Sequence, residues 1–578
     1  MLIRGSERLR FVASVILTIA GLAILDESTP HPGPFAQAPL LIDTILLGVV
    51  AVLTCVCWPR TAVANIQNQS RFHTLSTALI AVAGAILLAY TAHRLLPVMF
   101  AGRINVYQGD MLVVIDAAVD RFLHGKNPYT LYYVPWEVPL PYGPWLWMPY
   151  VLPHVIGVDP RVLTLVAFLT VVTAILGSSA VSIQRGHPVS SVALLVLATV
   201  LALHTRIGQF YGIGHTLVYW PLLFAFCCVL RTDRGTAVAL MTGCLVPART
   251  TMVSFIPIVL MHLYYQGQLT ARRVLLMTAA AVLPFLPFAL IDWRSFKYDV
   301  FGSYVAVVKQ FVWRSTDWAH QTLGVTGVLL RHGWDTYAEA AQGVVLLFVY
   351  ALAWRAIRRG ARPEPWLALA LLAFSMTALW PLIYLYFDVF VFLASALAAH
   401  ALVSPPQRSI RLVGFVAGCA TVAVASVIAV ATINPGAAYI VDVGTPSASG
   451  LTGAGFGRDV AVIEGGRTFV WIEGDVARVR LPRAGWLGTT IHIVIKPFAP
   501  AGAPRQRVRA LLNDHTLGVA DLESNWSDVG FDAPRHVWFY GFNLLELRFD
   551  HAVSPAQFGT SGDTRLLSAA VDTISVGR

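Results

Sequence analysis

Three charged side chains stand out from the long apolar stretches of this sequence and could carry out chemistry. Asp110 and Asp116 lie in the segment 109–118, and a Gly-Lys-Asn-Pro-Tyr stretch follows at 125–129. Arg249 interrupts a second apolar region. A carboxylate can act as a general base, and an arginine can hold a phosphate group. Because charge beside apolar helices is costly, such residues are candidates for a functional site.

Asp110 has two interpretations that the sequence alone leaves open. It stands at the start of a predicted amphipathic helix that ends at residue 124, so it is either a general base or the N-cap of that helix. Asp116 and Asp120 are four residues apart and share a helix face from which Asp110 is excluded. We expect both to be solvated or paired with the basic residues that follow, Arg121 and Lys126.

Arg249 separates two short apolar runs, 236–247 and 250–265. A hairpin of broken helix would place this arginine at its tip and direct a fixed cation into a cavity, where it could hold phosphate. The alternative is an arginine that snorkels to lipid headgroups. Further basic and histidine side chains are predicted on the same side and would make it attractive to anions: Arg206, Arg294, Lys297, Lys309, Arg314, His204, His215 and His320.

Aromatic residues are dense between 129 and 150, beginning with Tyr129 and including Tyr142. Asn127, which precedes a proline, predicts a turn before them. Such rings could stack on sugars, but an aromatic belt at a membrane interface explains most of them without a ligand. We therefore predict an interfacial helix over 141–157.

The composition predicts a polytopic α-helical membrane protein. Of 578 residues, 56% are hydrophobic and only 12% are charged, which lies outside the range of soluble domains. Apolar runs long enough to cross a bilayer predict about thirteen transmembrane helices. Their approximate ranges are 11–25, 39–58, 74–93, 161–183, 188–205, 215–230, 236–247, 250–265, 274–291, 342–357, 365–379, 382–401 and 412–432. Arginine clusters then fall on one side, so we expect that side, and with it the N-terminus, to be cytoplasmic.

The C-terminal region has a different pattern. Ile491, Ile493 and Ile495 alternate with more polar residues, as do Leu545 and Leu547, which predicts a β-sandwich or jelly roll. The predicted organisation is therefore an extra transmembrane pair (1–73), a membrane domain whose loop 94–160 holds the candidate site (74–432), a Gly-, Ala- and Ser-rich linker (433–465) and an extracytoplasmic β domain (466–578).

Trp471, Trp526 and Asn513 of that β domain could bind a carbohydrate, although core tryptophans and a turn asparagine are the interpretation we favour.

Other features exclude several function classes. The formal net charge of +10 comes largely from arginines at helix ends, so nucleic-acid binding is not favoured. All six cysteines lie in apolar runs and indicate neither a disulfide framework nor a metal site. Asp-X-Asp, His-Glu-X-X-His, a Walker loop and Gly-X-Ser-X-Gly are absent from the sequence. We therefore expect no metal and no cofactor.

The ordered motifs resemble a GT-C glycosyltransferase, in particular the polyprenyl-phosphate-mannose-dependent mannosyltransferases of glycosyltransferase family 87. The resemblance covers roughly residues 74–400. Its residues are Asp110, Ala117-Ala118, Leu123-His124-Gly125-Lys126-Asn127-Pro128-Tyr129, Tyr142-Gly143-Pro144, Gly208-Gln209, Gly243, Arg249, His320-Gln321-Thr322-Leu323 and Leu329-Leu330-Arg331. Three departures are the two extra N-terminal spans, a late segment 377–384 without the family's histidine, and the β domain.

The resemblance implies an inverting transfer of mannose, or another hexose or pentose, from a polyprenyl-phosphate donor to an extracytoplasmic glycan or lipid. Asp110 would be the catalytic base, and Arg249 with Arg206 would hold the donor phosphate. The residues implied at the sugar or acceptor are Asp116, Asn127, Tyr129, Tyr142, Gln209, His320 and Gln321. The expected partners are membrane lipids, the donor and the acceptor, without nucleic acid.

Two other functions fit parts of the sequence. A transporter or flippase for a lipid-linked glycan would also span the membrane, although it predicts repeated broken helices and we find one broken pair. A non-catalytic anchor that displays a glycan-binding β domain would explain the C-terminal region but not the ordered motifs.

Overall fold

The protein consists of a helical N-terminal part and an all-β C-terminal part. A computed structural model describes residues 2–27, 37–59, 71–100, 109–133, 137–155, 160–232, 234–309, 313, 322–379, 383–402, 439–445, 448, 451–457, 462–464, 467–482, 489–534, 537–538, 542–559 and 561–577. The predicted span 412–432, together with Cys419, His320 and Gln321, lies outside these residues.

The helices follow the predicted apolar runs closely. A helix suits an apolar segment because it satisfies the backbone N–H and C=O groups within the segment itself. They are α1 Leu2–Glu27, α2 Gln37–Cys57, α3 Arg71–Phe100, α4 Met111–Leu123, α5 Pro144–Trp147, α6 Val151–Val155, α7 Arg161–Gln184, α8 Pro188–Leu203, α9 Thr205–Ile213, α10 Trp220–Leu230, α11 Gly235–Ala248, α12 Ile256–Tyr265, α13 Ala271–Val282, α14 Leu286–Ile291, α15 Trp293–Lys297, α16 Ser303–Val307, α17 Gly324–Arg331, α18 Ala338–Arg358, α19 Glu364–Thr377 and α20 Tyr384–Leu402.

Among the residues that the structure describes, five helical stretches are both long and apolar enough to cross a membrane. They are Glu7–Asp26, Leu75–Leu95, Arg161–Gln184, Asp335–Arg358 and Tyr384–Leu402. Other apolar helices are shorter, such as Pro188–Leu203 and Gly235–Ala248. This is consistent with a membrane protein, whereas the total of thirteen spans and their orientation remain predictions.

Helix α20 lies at the centre of the helical part. It packs against α1, α7, α10 and α19, and its side chains from Leu385 to His400 are buried. A helix that is apolar on every side is suited to a position surrounded by other helices. The same core receives one face of α4, so the segment that carries Asp110 is fixed to the bundle.

The β part contains two main antiparallel sheets. Its strands are β3 Tyr439–Asp442, β4 Val462–Glu464, β5 Arg467–Glu473, β6 Val476–Pro482, β7 Thr489–Pro497, β8 Arg507–Leu512, β9 His515–Asp521, β10 Ser527–Ala533, β11 Phe542–Phe549 and β12 Leu567–Gly577. A separate two-stranded sheet, β1 Tyr132–Tyr133 with β2 Glu137–Val138, lies in the helical part. One main sheet has the order β10-β7-β12-β5-β4 with β3 beside β12, and the other has the order β6-β11-β8-β9.

The predicted alternation in the β part is confirmed. Ile491, Ile493 and Ile495 of β7 are all buried, as are Leu545 and Leu547 of β11. These residues belong to one hydrophobic cluster to which both sheets contribute. Because successive side chains of a strand point to opposite faces of the sheet, these alternating apolar residues all lie in one interior that the two sheets share.

The prediction of a linker across 433–465 is wrong for the residues that the structure describes. Tyr439–Asp442 pairs with β12, and Val462–Glu464 pairs with β5. The small residues between them are needed for close packing, because a Cβ on Gly444 would lie 2.5 Å from the backbone of Thr468. Glycine content here indicates tight packing against a sheet instead of a flexible connection.

Candidate functional site

Helix α4 positions Asp110 at the edge of the bundle. Apolar residues recur along one face of α4, from Met111 to Val119, and this face is buried. The backbone N–H of Leu112 also donates to the carbonyl oxygen of Gly214 at 3.0 Å. Gly214 ends α9 in the left-handed conformation, with φ of 108°. This hydrogen bond fixes the start of α4 beside the turn that follows α9.

The side chain of Asp110 does not cap helix α4. Asp110 occupies the N-cap position, but its backbone is helical and, among the described residues, its side chain caps no backbone N–H. An N-cap aspartate normally has an extended backbone and accepts such a bond. The side chain is half-buried, and burial raises the pKa of this carboxyl above its usual value. The group is therefore a better proton acceptor than an exposed aspartate.

Arg249 lies at a break between two helices, as predicted. Helix α11 ends at Ala248, Arg249 adopts an extended conformation with φ of −155° and ψ of 113°, and a 3-10 turn follows before α12. Pro247 lies inside the last turn of α11, and a proline near a helix end favours termination soon after. The break places a guanidinium in the interior of the bundle, where Arg249 is only 7% exposed.

A buried carboxylate holds Arg249 in place. Asp388, from α20, lies 3.7 Å from Nε of Arg249. It accepts hydrogen bonds from the hydroxyl of Tyr219 at 2.6 Å and from Nε1 of Trp220 at 2.8 Å. These donors stabilise the negative charge of Asp388, which would be costly to bury without partners. The pair offsets part of the charge of Arg249 and fixes the direction of its side chain.

Aromatic rings surround the guanidinium. Its Cζ atom lies 5.3 Å from the ring centre of Tyr384 and 5.7 Å from that of Tyr219. Tyr384 and Tyr219 thus lie directly beside the candidate phosphate-binding cation.

His215 adds a neutral polar group to this site. Its ring centre lies 4.7 Å from that of Tyr384. Burial, and then the positive charge of Arg249, lower the pKa of His215 to about 4, so the imidazole is neutral at pH 7. Within the described part of the chain its Nδ1 atom is buried and has no hydrogen-bond partner. A neutral imidazole here can exchange a hydrogen bond with a bound ligand.

The segment after β2 packs directly on the turn that carries Arg249. A Cβ on Gly143 would lie 2.2 Å from the carbonyl oxygen of Pro247, so only glycine permits this approach. Tyr142, the preceding residue, lies near enough to interact electrostatically with Arg249. The predicted Tyr142-Gly143-Pro144 motif is therefore adjacent to Arg249.

Three other predicted residues have structural contacts away from Arg249. Asp116 is exposed, as the solvated alternative expected, and its partner at 2.8 Å is Nδ1 of His154 instead of Arg121 or Lys126. Asn127 accepts a hydrogen bond from the backbone of Tyr129, which confirms the predicted turn. Tyr129 is buried, and its hydroxyl donates to the backbone oxygen of Tyr142 at 3.0 Å.

The remaining predicted residues do not join the cluster in the described part of the chain. Nε of Arg206 donates to the backbone oxygen of Asp26 at the end of α1, at 3.4 Å. Gln209 lies in α9, but its side chain is outside the described part, as are the whole of His320 and Gln321. A direct role for Arg206 at the phosphate has no support from its contacts.

The aromatic belt interpretation is wrong for the best-buried rings. Trp147 and Tyr150 are buried in the protein. Trp147 packs against Phe122 and Phe288, with ring centres 5.3 and 5.6 Å apart. The helix predicted over 141–157 is present as three consecutive helical segments, Pro144–Trp147, Met148–Tyr150 and Val151–Val155, whereas its location at a membrane interface stays a prediction. These aromatics form the support beneath the site.

Sequence reasoning missed the residues that hold Arg249. Asp388, Tyr219 and Trp220 were not predicted, and Tyr384 was considered only as part of a motif. One signal was available: Asp388 is a lone acid within the apolar stretch 384–399, and an acid there requires a partner. Among the described residues, no group of three His, Cys, Asp or Glu side chains could hold a metal ion.

Comparison with known proteins gives little further information. No protein-family model and no curated protein matches the chain. A solved structure of a family 35 carbohydrate-binding module from an environmental isolate does match. It covers 22% of this chain and 88% of its own, at 23% identity and a TM-score of 0.15. A TM-score this low carries no argument about fold or function.

Proposed function

We propose that the protein is an integral-membrane inverting glycosyltransferase that uses a polyprenyl-phosphate sugar as its donor. The observation that carries this proposal is a series of contacts from the start of α4 to Arg249. Leu112, two residues after Asp110, bonds to Gly214. The ring of the next residue, His215, lies 4.7 Å from that of Tyr384, whose ring centre is 5.3 Å from Cζ of Arg249. A base and a fixed cation beside one another suit a reaction that removes a proton and releases a phosphate. The ordered motifs of the resemblance, in which Asp110 and Arg249 take these two roles, support the same reaction.

In the proposed reaction, the acceptor hydroxyl loses its proton to Asp110 while its oxygen attacks C1 of the donor sugar. The bond between C1 and the phosphate oxygen breaks, and the lipid phosphate leaves with the electron pair. Arg249 stabilises the charge that develops on the leaving oxygen, and His215 can donate a hydrogen bond to it. Attack opposite the leaving group inverts the configuration at C1.

Burial supports these roles in physical terms. A raised pKa makes Asp110 a stronger base, and a positioned base contributes roughly 10²–10⁴-fold to a rate. Arg249 is enclosed by Tyr219, Tyr384 and Asp388, so little solvent rearrangement is needed when charge develops nearby. Membrane-spanning helices, an extracytoplasmic site and a bacterial plasma membrane are parts of this proposal.

The test is transfer by purified Asp110→Asn protein from a polyprenyl-phosphate sugar to an acceptor. We expect product formation to fall by about 10²–10⁴-fold, since the amide cannot accept the proton. Asp120→Asn is the matched control, because Asp120 lies on the same helix, is exposed and is not among the residues implied at the sugar or acceptor. Transfer by Asp110→Asn at the wild-type rate would refute the base assignment. A transporter would release no polyprenyl phosphate in this assay.

Arg249→Lys tests the phosphate role. Lysine keeps the positive charge but lacks the planar guanidinium that can donate hydrogen bonds to two phosphate oxygens at once. We expect weaker donor use with little change in acceptor KM. An unchanged donor dependence would contradict the assignment to phosphate.

A second candidate function, glycan binding by the β part, is favoured by the outer face of the larger sheet. Contrary to the favoured interpretation, Trp471 and Trp526 are half-buried and lie outside the interior cluster. Ala570 of β12 lies between Trp471 of β5 and Lys496 of β7 in the sheet. The Trp526 ring has Arg467 Cζ at 5.8 Å and Lys496 Nζ at 6.0 Å. Rings flanked by cations fit a sugar that carries an acidic group.

Binding of the full-length protein to an acidic oligosaccharide and to its carboxyl-reduced form tests this second function. We expect the acidic form to bind more tightly, and Trp526→Ala to weaken its binding by about tenfold or more. Trp526→Phe should retain much of it. Phe558→Ala, which removes another partly exposed ring of the β part, is the control. Equal binding of both oligosaccharides would contradict the charge argument.

A further inference from the structure

A polar pocket lies at the end of α11 opposite Arg249. Gly235 and Val238, in the first turn of α11, line it together with Arg231, His262 and Arg362. Helix α11 has 14 residues. At about 1.5 Å per residue, its two ends are roughly 20 Å apart. The pocket is therefore separate from the site around Asp110 and Arg249.

The pocket carries more positive than negative charge. Nη1 of Arg231 lies 2.9 Å from Oε1 of Glu364, and Nη2 of Arg362 lies 3.2 Å from the same oxygen. The side chain of Arg231 is 5% exposed and that of Glu364 is fully buried. Two guanidinium groups thus share one carboxylate oxygen. One guanidinium therefore has no carboxylate of its own. Because Arg231 is buried and only 26% of the Arg362 side chain is exposed, this surplus charge favours an anion nearby.

Hydrogen bonding at the pocket is also incomplete. In the part of the chain that the structure describes, the Nε atoms of Arg231 and Arg362 are buried and have no hydrogen-bond partner. A buried donor that stays unpaired is destabilising. Arg231 and Arg362 both line the pocket, so their guanidinium groups are the cations closest to a ligand within it.

The start of α11 brings further donors to the same place. A Cβ on Gly235 would lie 2.2 Å from Oε1 of Gln268 and 3.0 Å from Nη1 of Arg273. The absence of a side chain at Gly235 therefore lets a third arginine approach. The first backbone N–H groups of α11 have no partner within the helix and favour negative charge.

We propose that this pocket binds an anionic phosphate group, from a lipid headgroup or from free phosphate. Phosphate offers several acceptor oxygens and a negative charge that would balance the surplus positive charge of the two arginines. Basic pockets between the helices of membrane proteins commonly receive anionic lipid headgroups. The proposal does not depend on glycosyl transfer, because the pocket lies at the opposite end of α11 from Asp110 and Arg249.

The experiment measures thermal unfolding of the delipidated, full-length protein in detergent. Three additions are compared: inorganic phosphate, phosphatidylglycerol, and diacylglycerol, which has no phosphate. We expect a saturable rise in Tm with phosphatidylglycerol, with inorganic phosphate, or with both. A rise with phosphatidylglycerol alone identifies a headgroup, and a rise with both shows that free phosphate also enters. No rise with either phosphate source, or an equal rise with diacylglycerol, overturns the proposal.

Arg362→Gln locates the effect. This variant keeps the buried pair of Arg231 and Glu364, so it is expected to fold, and it removes the surplus charge. We expect the concentration for half-maximal stabilisation to rise tenfold or more. Arg272→Gln makes the same change in charge at an exposed residue next to Arg273 and should bind as wild type does. Native mass spectrometry of retained phosphatidylglycerol gives a second readout, and equal retention by Arg362→Gln and wild type overturns the assignment.

Discussion

The two ends of helix α11 carry buried arginines in contrasting surroundings. At the C-terminal end, Arg249 has one carboxylate, Asp388, and two tyrosine rings around it. At the N-terminal end, Arg231 shares Glu364 with a second arginine and faces a polar pocket. Aromatic rings exclude water and strengthen electrostatic interactions, which suits a reacting phosphate. A polar pocket with surplus charge suits an anion that is held without reaction.

The largest expected difference concerns stability. Asp388→Ala leaves Arg249 buried without its counter-charge, so we expect the free energy of unfolding to fall by about 3–5 kcal/mol. Glu364→Ala should cost at least as much, since two arginines lose their partner. Denaturant unfolding in detergent measures both, with Asp116→Ala as the exposed control. A loss below about 1 kcal/mol for Asp388→Ala would mean that Arg249 does not depend on this carboxylate.

A second prediction concerns the packing that positions Arg249. Gly143→Ala places a methyl group against the carbonyl oxygen of Pro247 and must displace the turn that carries Arg249. Since a 1 Å misplacement can cost about 10²-fold in rate, we expect transfer to fall by that order. Gly343→Ala is the control, because a Cβ there meets no atom within 4 Å. The pocket at the other end should bind phosphate normally in both variants.

The pH dependence of transfer should distinguish the two ends further. Burial raises the pKa of Asp110, and a base acts only when deprotonated. Activity should therefore fall about tenfold per pH unit below that raised pKa, and the decline should begin at a higher pH than for an ordinary aspartate. A pH profile of kcat/KM measures this. Phosphate binding at the arginine pocket, measured as the rise in Tm, should not show this decline at low pH. Binding there does not require a deprotonated Asp110.

The smallest effect is expected at Asp299, which supports the segment beside Arg249. Its Oδ2 atom accepts the backbone N–H of Leu140 at 3.4 Å, and burial, the largest cause, raises its pKa to about 7. An unfolded aspartate has a pKa of about 4. Stability from this group is thus greatest below about pH 4 and is lost as pH rises to about 7. Asp299→Asn should flatten this dependence by roughly 1–3 kcal/mol, measured as unfolding free energy at pH 5 and pH 8. An unchanged slope would contradict it.

Local patterns in the sequence predicted the parts of the site that depend on neighbouring residues. The helix predicted over 110–124 is Met111–Leu123. Its apolar residues recur every three to four positions, which is the spacing of an amphipathic helix. The break at Arg249 follows from a proline and a charge between apolar runs. The face of Asp116 and Asp120 was also predicted correctly, but their partner His154 was not, since it lies on α6.

The linker over 433–465 and the aromatic belt were predicted wrongly for a common reason. Glycine content and aromatic content do not reveal whether other elements cover a segment. Strand Tyr439–Asp442 lies beside β12 from the end of the chain, and Trp147 packs on Phe288 of α14. Both contacts join residues that are far apart in sequence.

The sequence by itself determined which stretches are apolar helices, which strands alternate, and where a charge interrupts them. Backbone geometry explains this, because helix and strand periods impose their faces on any sequence of suitable composition. Only the tertiary structure decided that Arg249 meets Asp388 beside Tyr384, that the start of α4 lies against Gly214, and that Arg231 and Arg362 share Glu364. These groups come from separate helices and turns, and their contacts depend on how the helices pack. The chemistry at each end of α11 is therefore a property of packing.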